Sequence, residues 1–354
     1  MDNAGALAPI NETLGEYSQL FMLLAAMVYG VVFIIFALDL AKTNKSISEM
    51  DSEALKRDEE LLVSAGGAVG TKPRSRRGAA VRADNVGEHI VTDKMEYTQL
   101  SAKRPTARIA VVLMWLAAAL HGGAVVSRAI AAHRVPWGNM YEFLSTGSFL
   151  VALVFSLVLL KKDLRFMGTF VIGLVTVMLC GATMGFPTPV AHLVPALQSY
   201  WLIIHVSIAV LASSLFTITF AMNVLQLVQH ARMDSLAAGK PDKMPFMRLV
   251  PGAAPLENFA YRINAVAFVM WTFTVMAGAI WAEAAWGRYW GWDTKEVWSF
   301  VIWVVYAGYL HARATGGWTG ARSAWLSIIG YLCIVFNFTV VNIYFNGLHS
   351  YAGL

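Results

Sequence analysis

Long runs of apolar residues dominate this sequence, and polar residues collect in the stretches between them. A helix needs about 20 mostly apolar residues to cross the hydrocarbon core of a bilayer. Eight runs have about that length, at 18–40, 109–131, 140–160, 166–184, 201–228, 259–285, 297–313 and 323–345. The pattern predicts an all-α integral membrane protein with eight transmembrane helices.

The composition supports this prediction. Hydrophobic residues make up 57% of the chain, charged residues only 14%, and the mean hydropathy is +0.56, whereas a soluble globular protein is usually about 25% charged. Because so few polar residues cannot cover a large apolar core in water, lipid is the better solvent for this chain. No basic stripe interleaved with aromatic residues occurs, so a nucleic-acid partner is not expected.

The charged residues concentrate between the first two apolar runs. Residues 41–107 hold 12 Lys/Arg and 10 Asp/Glu, and their Gly/Ala/Arg-rich middle shows no helical period. This predicts a charged, flexible cytoplasmic loop at 41–108. Before it, residues 1–40 would form the first transmembrane helix with a short outer amino terminus. After it, residues 109–354 would form a seven-helix membrane domain.

The distribution of Lys and Arg predicts the orientation. If the amino terminus is outside, the inner segments carry 23 of the 27 cations and the outer segments carry four. If the long loop, which counts less for this rule, is left out, the inner segments still carry 11 cations and the outer segments four. Both termini are therefore expected outside, and the 286–296 loop and the tail after residue 345 would face outward too.

One outward loop is rich in tryptophan. Seven of the 12 tryptophans fall between Trp271 and Trp303. Interfacial tryptophans usually spread over many helix ends, whereas these crowd one segment, with glycines that let a backbone approach a ligand. The loop at about 286–298 predicts a platform for a large flat apolar molecule, and a plain interfacial belt is the alternative. The residues assigned to it are Trp286, Gly287, Tyr289, Trp290, Trp292 and Asp293.

Two histidines share a side and a level with this loop. His205 lies a few residues inside the outer end of the fifth run, and His349 lies just beyond the eighth. Ionisable residues at membrane depth are costly and indicate function. Since two imidazoles can occupy both axial positions of a haem iron, an aromatic floor between these histidines would hold a porphyrin at the outer face.

The other buried candidates differ in depth. His311 lies 15 residues after Glu296, about 22 Å further inward along a helix, and the level of His121 differs from it by about 10 Å. They are a poor pair for one iron, so a second ligand for a haem at His311 would come from another chain. His121 is predicted to be a hydrogen-bonded core histidine, and Cys180 and Cys333 to be buried structural thiols.

Several segments resemble one family. The segment that begins at Trp286 resembles the tryptophan-rich "WWD" signature of haem-handling proteins in cytochrome c maturation. Three further matches accompany it: Pro136-Trp-Gly-Asn-Met-Tyr-Glu142, Leu197-Gln-Ser-Tyr-Trp-Leu-Ile-Ile-His205-Val and Tyr309-Leu-His311-Ala-Arg313. Together they make residues 109–354 similar to the CcsA subfamily of the system II pathway, called CcsB or ResC in some bacteria. The family usually has proline where this chain has Thr294. Proline at this position would stiffen the turn after Asp293.

The resemblance implies roles for three histidines. His205 and His349 would be the outward axial ligands of the haem iron, and catalysis would depend on them. His311 would be the transmembrane ligand for haem that travels from the cytoplasmic side, and its counterpart would come from a ResB-type membrane partner. The cofactor, which is also a substrate, would be haem b.

The resemblance also implies a function. The chain would be a subunit of a membrane holocytochrome c synthase, an enzyme of the cytochrome c haem lyase type that acts with its ResB-type partner. It would carry haem to the outer face and present it for thioether attachment to the Cys-x-x-Cys-His segment of apocytochrome c, with a thiol-reducing system upstream. A bacterial plasma membrane is expected, or a chloroplast thylakoid. The alternatives are a haem transporter or exporter and a CcmC-like haem-delivery protein, neither with covalent chemistry of its own.

Overall fold

The computed structural model describes residues 9–65, 104–193 and 197–349, and every regular element in these ranges is helical. Short 3-10 and π segments join some of the helices. The α-helices are α1 (Glu12–Ala65), α2 (Pro105–Ala131), α3 (Met140–Leu159), α4 (Gly168–Cys180), α5 (Tyr200–Ala237), α6 (Ala253–Trp286), α7 (Thr294–Thr315), α8 (Ala321–Phe338) and α9 (Val340–Tyr344).

Seven helices of the described residues are long and apolar enough to cross a membrane. They are Glu12–Glu49, Pro105–Ala131, Met140–Leu159, Arg165–Gly185, Tyr200–Ala237, Ala253–Trp286 and Ala321–Tyr344. They coincide with seven of the eight predicted runs and confirm an all-α integral membrane protein. The remaining run, 297–313, is helical within α7 but is not among these seven helices, so the number of eight spans stays a prediction.

The prediction of a flexible loop is wrong for its first third. α1 continues through residues 41–65, because this stretch contains no glycine or proline and is rich in the helix-forming residues Ala, Leu, Glu and Lys. With 54 residues, α1 is about 80 Å long, whereas the hydrocarbon core is about 30 Å thick. Its charged end therefore extends well beyond the membrane. The Gly/Ala/Arg-rich middle of the predicted loop lies outside the described residues.

Two groups of helices meet along α5. In the first group, α1 to α4 bury side chains such as Tyr29, Met114 and Phe155. In the second, α5 to α8 enclose the ring pair Phe216 and Tyr306, whose centroids lie 3.9 Å apart. α5 contacts α3 of the first group as well as α6 and α8 of the second. It therefore joins the two groups of helices.

Two residue-level predictions have different outcomes. Cys180 is exposed and Cys333 half-buried, so the prediction of a buried thiol is wrong for Cys180. The reason is that lipid is as apolar as a protein core, and an apolar run does not show which of its residues face other helices. His121 is fully buried as predicted. Its ring packs against Tyr29 and Phe149. The predicted hydrogen bond is not confirmed, because neither ring nitrogen makes one of ordinary geometry among the described residues.

Candidate functional site

The tryptophan-rich loop lies between the carboxy-terminal cap of α6 and the amino-terminal cap of α7. α6 ends where Gly287 takes the left-handed conformation, with φ of 69°, which glycine adopts without strain. α7 then begins with a capping box, in which Asp293 accepts from the backbone N–H of Glu296 and Glu296 accepts from that of Asp293 at 3.0 Å. The same Glu296 oxygen also accepts from the N–H of Gly291 at 2.8 Å. Glu296 therefore fixes the second half of the loop, at Gly291 and Asp293.

The capping box also explains how the chain tolerates Thr294. Thr294 is the first residue of α7, a position at which proline is favoured because its fixed φ suits a helix start. Here the reciprocal hydrogen bonds of Asp293 and Glu296 order the same turn. The start of α7 therefore does not depend on the proline that is usual in the resembled family.

The aromatic residues of the loop fall into two sets. Tyr289 and Trp292 are 62% and 77% exposed, and Trp290 packs edge-on against Trp292 at 5.9 Å. Trp286 is half-buried and packs against Trp281 of α6, with ring centroids 4.7 Å apart. The aromatic residues thus form an exposed group and an inner group, and within the described residues only the inner group makes ring contacts with the histidines.

His349 is tied to the loop by Asp293. Its Nδ1 lies 2.7 Å from Asp293 Oδ2, and the other carboxylate oxygen accepts from the N–H of Leu348 at 3.3 Å. A Cβ at Gly347 would lie 2.1 Å from Asp293 Oδ1, so only glycine permits this approach. The hydrogen bond from His349 is the main cause that lowers the pKa of Asp293. Asp293 is therefore a carboxylate that fixes His349.

His205 is held from the neighbouring helix. It lies in the second turn of α5, and its Nδ1 is 2.8 Å from the carbonyl oxygen of Thr274 on α6. A carbonyl oxygen only accepts, so Nδ1 carries the proton and Nε2 of the neutral ring is the nitrogen that can bind a metal. A Cβ at Gly278 would lie 2.7 Å from His205 Cε1. Gly278 therefore makes room for the imidazole between α5 and α6.

The two imidazoles belong to one aromatic cluster. Both rings pack against Trp281, and His349 also meets Trp286 edge-on at 4.8 Å. Each imidazole uses Nδ1 for a backbone carbonyl or a carboxylate, which is the usual outer support of a metal-ligating histidine. This donor set fits the two axial positions of a haem iron.

The sequence profile of the family described as "Cytochrome C assembly protein" matches residues 137–349 of this chain. The chain belongs to this family. The matched segment contains His205, His311, His349 and the whole tryptophan-rich loop, and it leaves out α1 and α2.

Curated relatives specify the type. The cytochrome c biogenesis protein CcsA of Guillardia theta is 35% identical over 237 residues, which cover 62% of this chain and 77% of the relative. CcsA of Mesostigma viride is 31% identical over 237 residues, with 62% and 78% covered. CcsA of Synechococcus sp. (strain RCC307) is 36% identical over 195 residues, with 49% and 63% covered. The chain is therefore a CcsA-type cytochrome c biogenesis protein, as the sequence resemblance predicted.

His311 lies apart from the cluster in this CcsA-type chain. It is near the other end of α7, exposed, and its carbonyl oxygen accepts from Thr315 Oγ1 at 2.7 Å. Fifteen helical residues separate it from Glu296, about 22 Å. An exposed imidazole is open to a second chain, whereas His205 and His349 are supported from within this one.

Sequence reasoning missed three contributors to the site. Thr274, Gly278 and Trp281 recur at helical spacing on one face of α6, and this spacing was the available signal. Lys295 donates to Asn342 Oδ1 at 2.5 Å and links α7 to α9. Burial lowers the pKa of Lys295 to about 7. No sequence pattern indicated that Lys295 would bond to Asn342 of α9.

Proposed function

We propose that this CcsA-type chain is the haem-handling subunit of a membrane holocytochrome c synthase. It would bind haem at the outer face with His205 and His349 as axial ligands and present it to the Cys-x-x-Cys-His segment of an apocytochrome c. The observation that carries this proposal is the pair of imidazoles, each supported at Nδ1 and both packed against Trp281.

The chain's residues would act by orientation. The haem substrate supplies two vinyl groups, and each cysteine thiol adds across one of them, with the sulfur bonded to one carbon and the proton taken up by the other. Two fixed imidazoles define the face and edge of the ring that the thiols meet, and such positioning supplies much of a reaction rate. One of the two ligands has to give way to the histidine of the substrate motif for the product to leave.

The proposal includes a partner for His311. Its exposed position on α7 supports a haem site shared with a second membrane chain of the ResB type, through which haem arrives from the inner side. α7 has the length of a span but carries Lys295, Glu296 and Arg313 as well as His311. A helix with this many polar groups is better accommodated beside protein than in lipid alone.

The membrane arrangement is also proposed. With residues 297–313 of α7 as an eighth span, both termini and the tryptophan-rich loop would lie on the outer side of a bacterial plasma membrane or in a thylakoid, and the charged end of α1 on the inner side. This orientation is supported because it puts 23 of the 27 Lys and Arg residues on the inner side and four on the outer side. Residues 109–354 would then act as one haem-handling domain, with apocytochrome c and an upstream thiol-reducing system on the outer side.

The visible spectrum of the detergent-purified chain, co-expressed with its partner, tests the function. We expect a reduced low-spin haem spectrum that weakens or becomes high-spin when both His205 and His349 are replaced by alanine, because the iron loses its axial nitrogens. His133→Ala is the matched control, since His133 is an exposed histidine of another outer loop. An unchanged spectrum in the double variant would contradict the outer site. If haem then remained at His311 and no product formed, the chain would be a haem transporter.

A further inference from the structure

Trp281 contacts both candidate ligands, although it lies before the tryptophan-rich loop. Its ring is nearly parallel to that of His205, at 11° with centroids 6.0 Å apart, and meets His349 edge-on, at 66° and 5.5 Å. We propose that Trp281 is a positioning residue of the outer haem site, which fixes the planes of both axial imidazoles and holds them steeply inclined to each other. This inference rests on the proposed function and concerns the geometry of the same site.

A hydrogen bond at Nδ1 does not by itself orient an imidazole. The bonds to Thr274 and Asp293 hold one ring nitrogen in each histidine, but a single hydrogen bond tolerates coupled changes of χ1 and χ2 that tilt the ring plane. A second contact is needed to limit this tilt. Trp281 supplies such a contact to both rings, with its face toward His205 and an edge-on contact to His349.

Trp281 is itself well fixed. It is 2% exposed and forms a small core with Leu197 and Leu202 of the α5 end. Trp286 packs against it edge-on with centroids 4.7 Å apart. Because core side chains are close-packed and occupy single rotamers, the indole is a rigid reference for the imidazoles.

The relative angle follows from the two contacts. Because one imidazole is inclined to the indole by 11° and the other by 66°, the two imidazoles must be steeply inclined to each other. The planes of axial imidazoles determine how their π orbitals overlap with those of the iron. The electron paramagnetic resonance (EPR) spectrum of an oxidised low-spin haem distinguishes steeply inclined from parallel imidazole planes, and it therefore reports this arrangement independently of activity.

The experiment uses the full chain with its partner in detergent, loaded with haem and oxidised. The signal of the outer site is the part lost in His349→Ala. We expect the wild type to give the spectrum of steeply inclined planes and Trp281→Leu to shift toward that of parallel planes, with haem lost several-fold faster on dialysis. Trp303→Leu is the control, since Trp303 lies beyond the tryptophan-rich loop in α7, packs against Phe268 at 5.7 Å and makes no described contact with either histidine.

Each outcome decides the inference. A parallel-plane spectrum in the wild type, or a wild-type spectrum in Trp281→Leu, would overturn the role of Trp281 while the bis-histidine site stood. No signal loss in His349→Ala would overturn the proposed site and this inference with it. Trp281→Phe keeps a ring in the small core and serves if the leucine variant does not fold. Since phenyl offers a smaller face, an intermediate spectrum is expected, and an unchanged one would again contradict the inference.

Discussion

At the scale of single residues, Asp293 connects the two sequence-distant parts of the outer site. The tryptophan-rich signature contributes the carboxylate, and the carboxy-terminal segment contributes His349, Leu348 and Gly347. Sequence reasoning selected Asp293 as a cofactor-binding residue, and the structure places it one step further out. It contacts Nδ1 of the imidazole and so leaves Nε2 for the haem ligation proposed above.

This geometry predicts the effect of Asp293→Asn. Outer-shell partners of metal-ligating histidines typically contribute 10- to 100-fold in metal affinity, so we expect haem at the outer site to bind about 10-fold more weakly. Haem titration of the purified complex, monitored in the visible spectrum, measures this. Asp163→Asn is the control, because Asp163 pairs with Arg165 elsewhere in the fold. Equal affinities of wild type and Asp293→Asn would show that the hydrogen bond does not support ligation.

Lys295 predicts a pH dependence of stability. Burial lowers its pKa to about 7 in the folded chain, against an ordinary value of 10.5. Between these values the unfolded chain holds a proton that the folded chain has lost, so stability rises with pH in this window. We expect the melting temperature to rise by several degrees from pH 7 to 9.5, and the rise to shrink in Lys295→Met.

Thermal unfolding in detergent, followed by circular dichroism, measures both slopes. The exposed Lys240 provides the matched control, Lys240→Met. A slope that is the same in wild type, Lys295→Met and Lys240→Met would show that Lys295 does not cause the pH dependence.

At the scale of elements, apolar runs predicted helices well and their ends poorly. Seven of the eight runs became helices that can span a membrane, because a chain in lipid must satisfy its backbone hydrogen bonds within each segment. The ends depend on local chemistry that hydropathy does not measure. α1 continues for 25 residues past the predicted end at Leu40, since nothing in the following sequence breaks a helix.

The start of α7 shows the same distinction. Capping by Asp293 and Glu296 was readable as an acidic residue three positions before another, yet sequence reasoning assigned Asp293 to cofactor binding. In the structure Glu296 accepts two backbone N–H groups of the loop. Its part in the site is therefore to shape the tryptophan-rich loop.

At the scale of the whole molecule, the proposed orientation gives a direct test. In a chain with Cys180→Ser and Cys333→Ser, a single cysteine is introduced at Tyr289 or at Lys240. Both positions are exposed, and the proposed topology puts them on opposite sides of the membrane. We expect a membrane-impermeant maleimide added to intact cells to label Tyr289→Cys, and Lys240→Cys only after the membrane is opened. Labelling of both cysteines from the same side would contradict the topology.

The sequence by itself determined the class of protein, most of its helices and its family, because hydropathy, helix formation and the tryptophan signature are local properties. It also selected His205 and His349 as a pair through their common level in the membrane. Only the tertiary structure decided that both rings pack against Trp281, and that Thr274 and Asp293 support them. These contacts join residues far apart in the chain, and they arise from how α5, α6, α7 and the carboxy-terminal segment pack against one another, which no local pattern specifies.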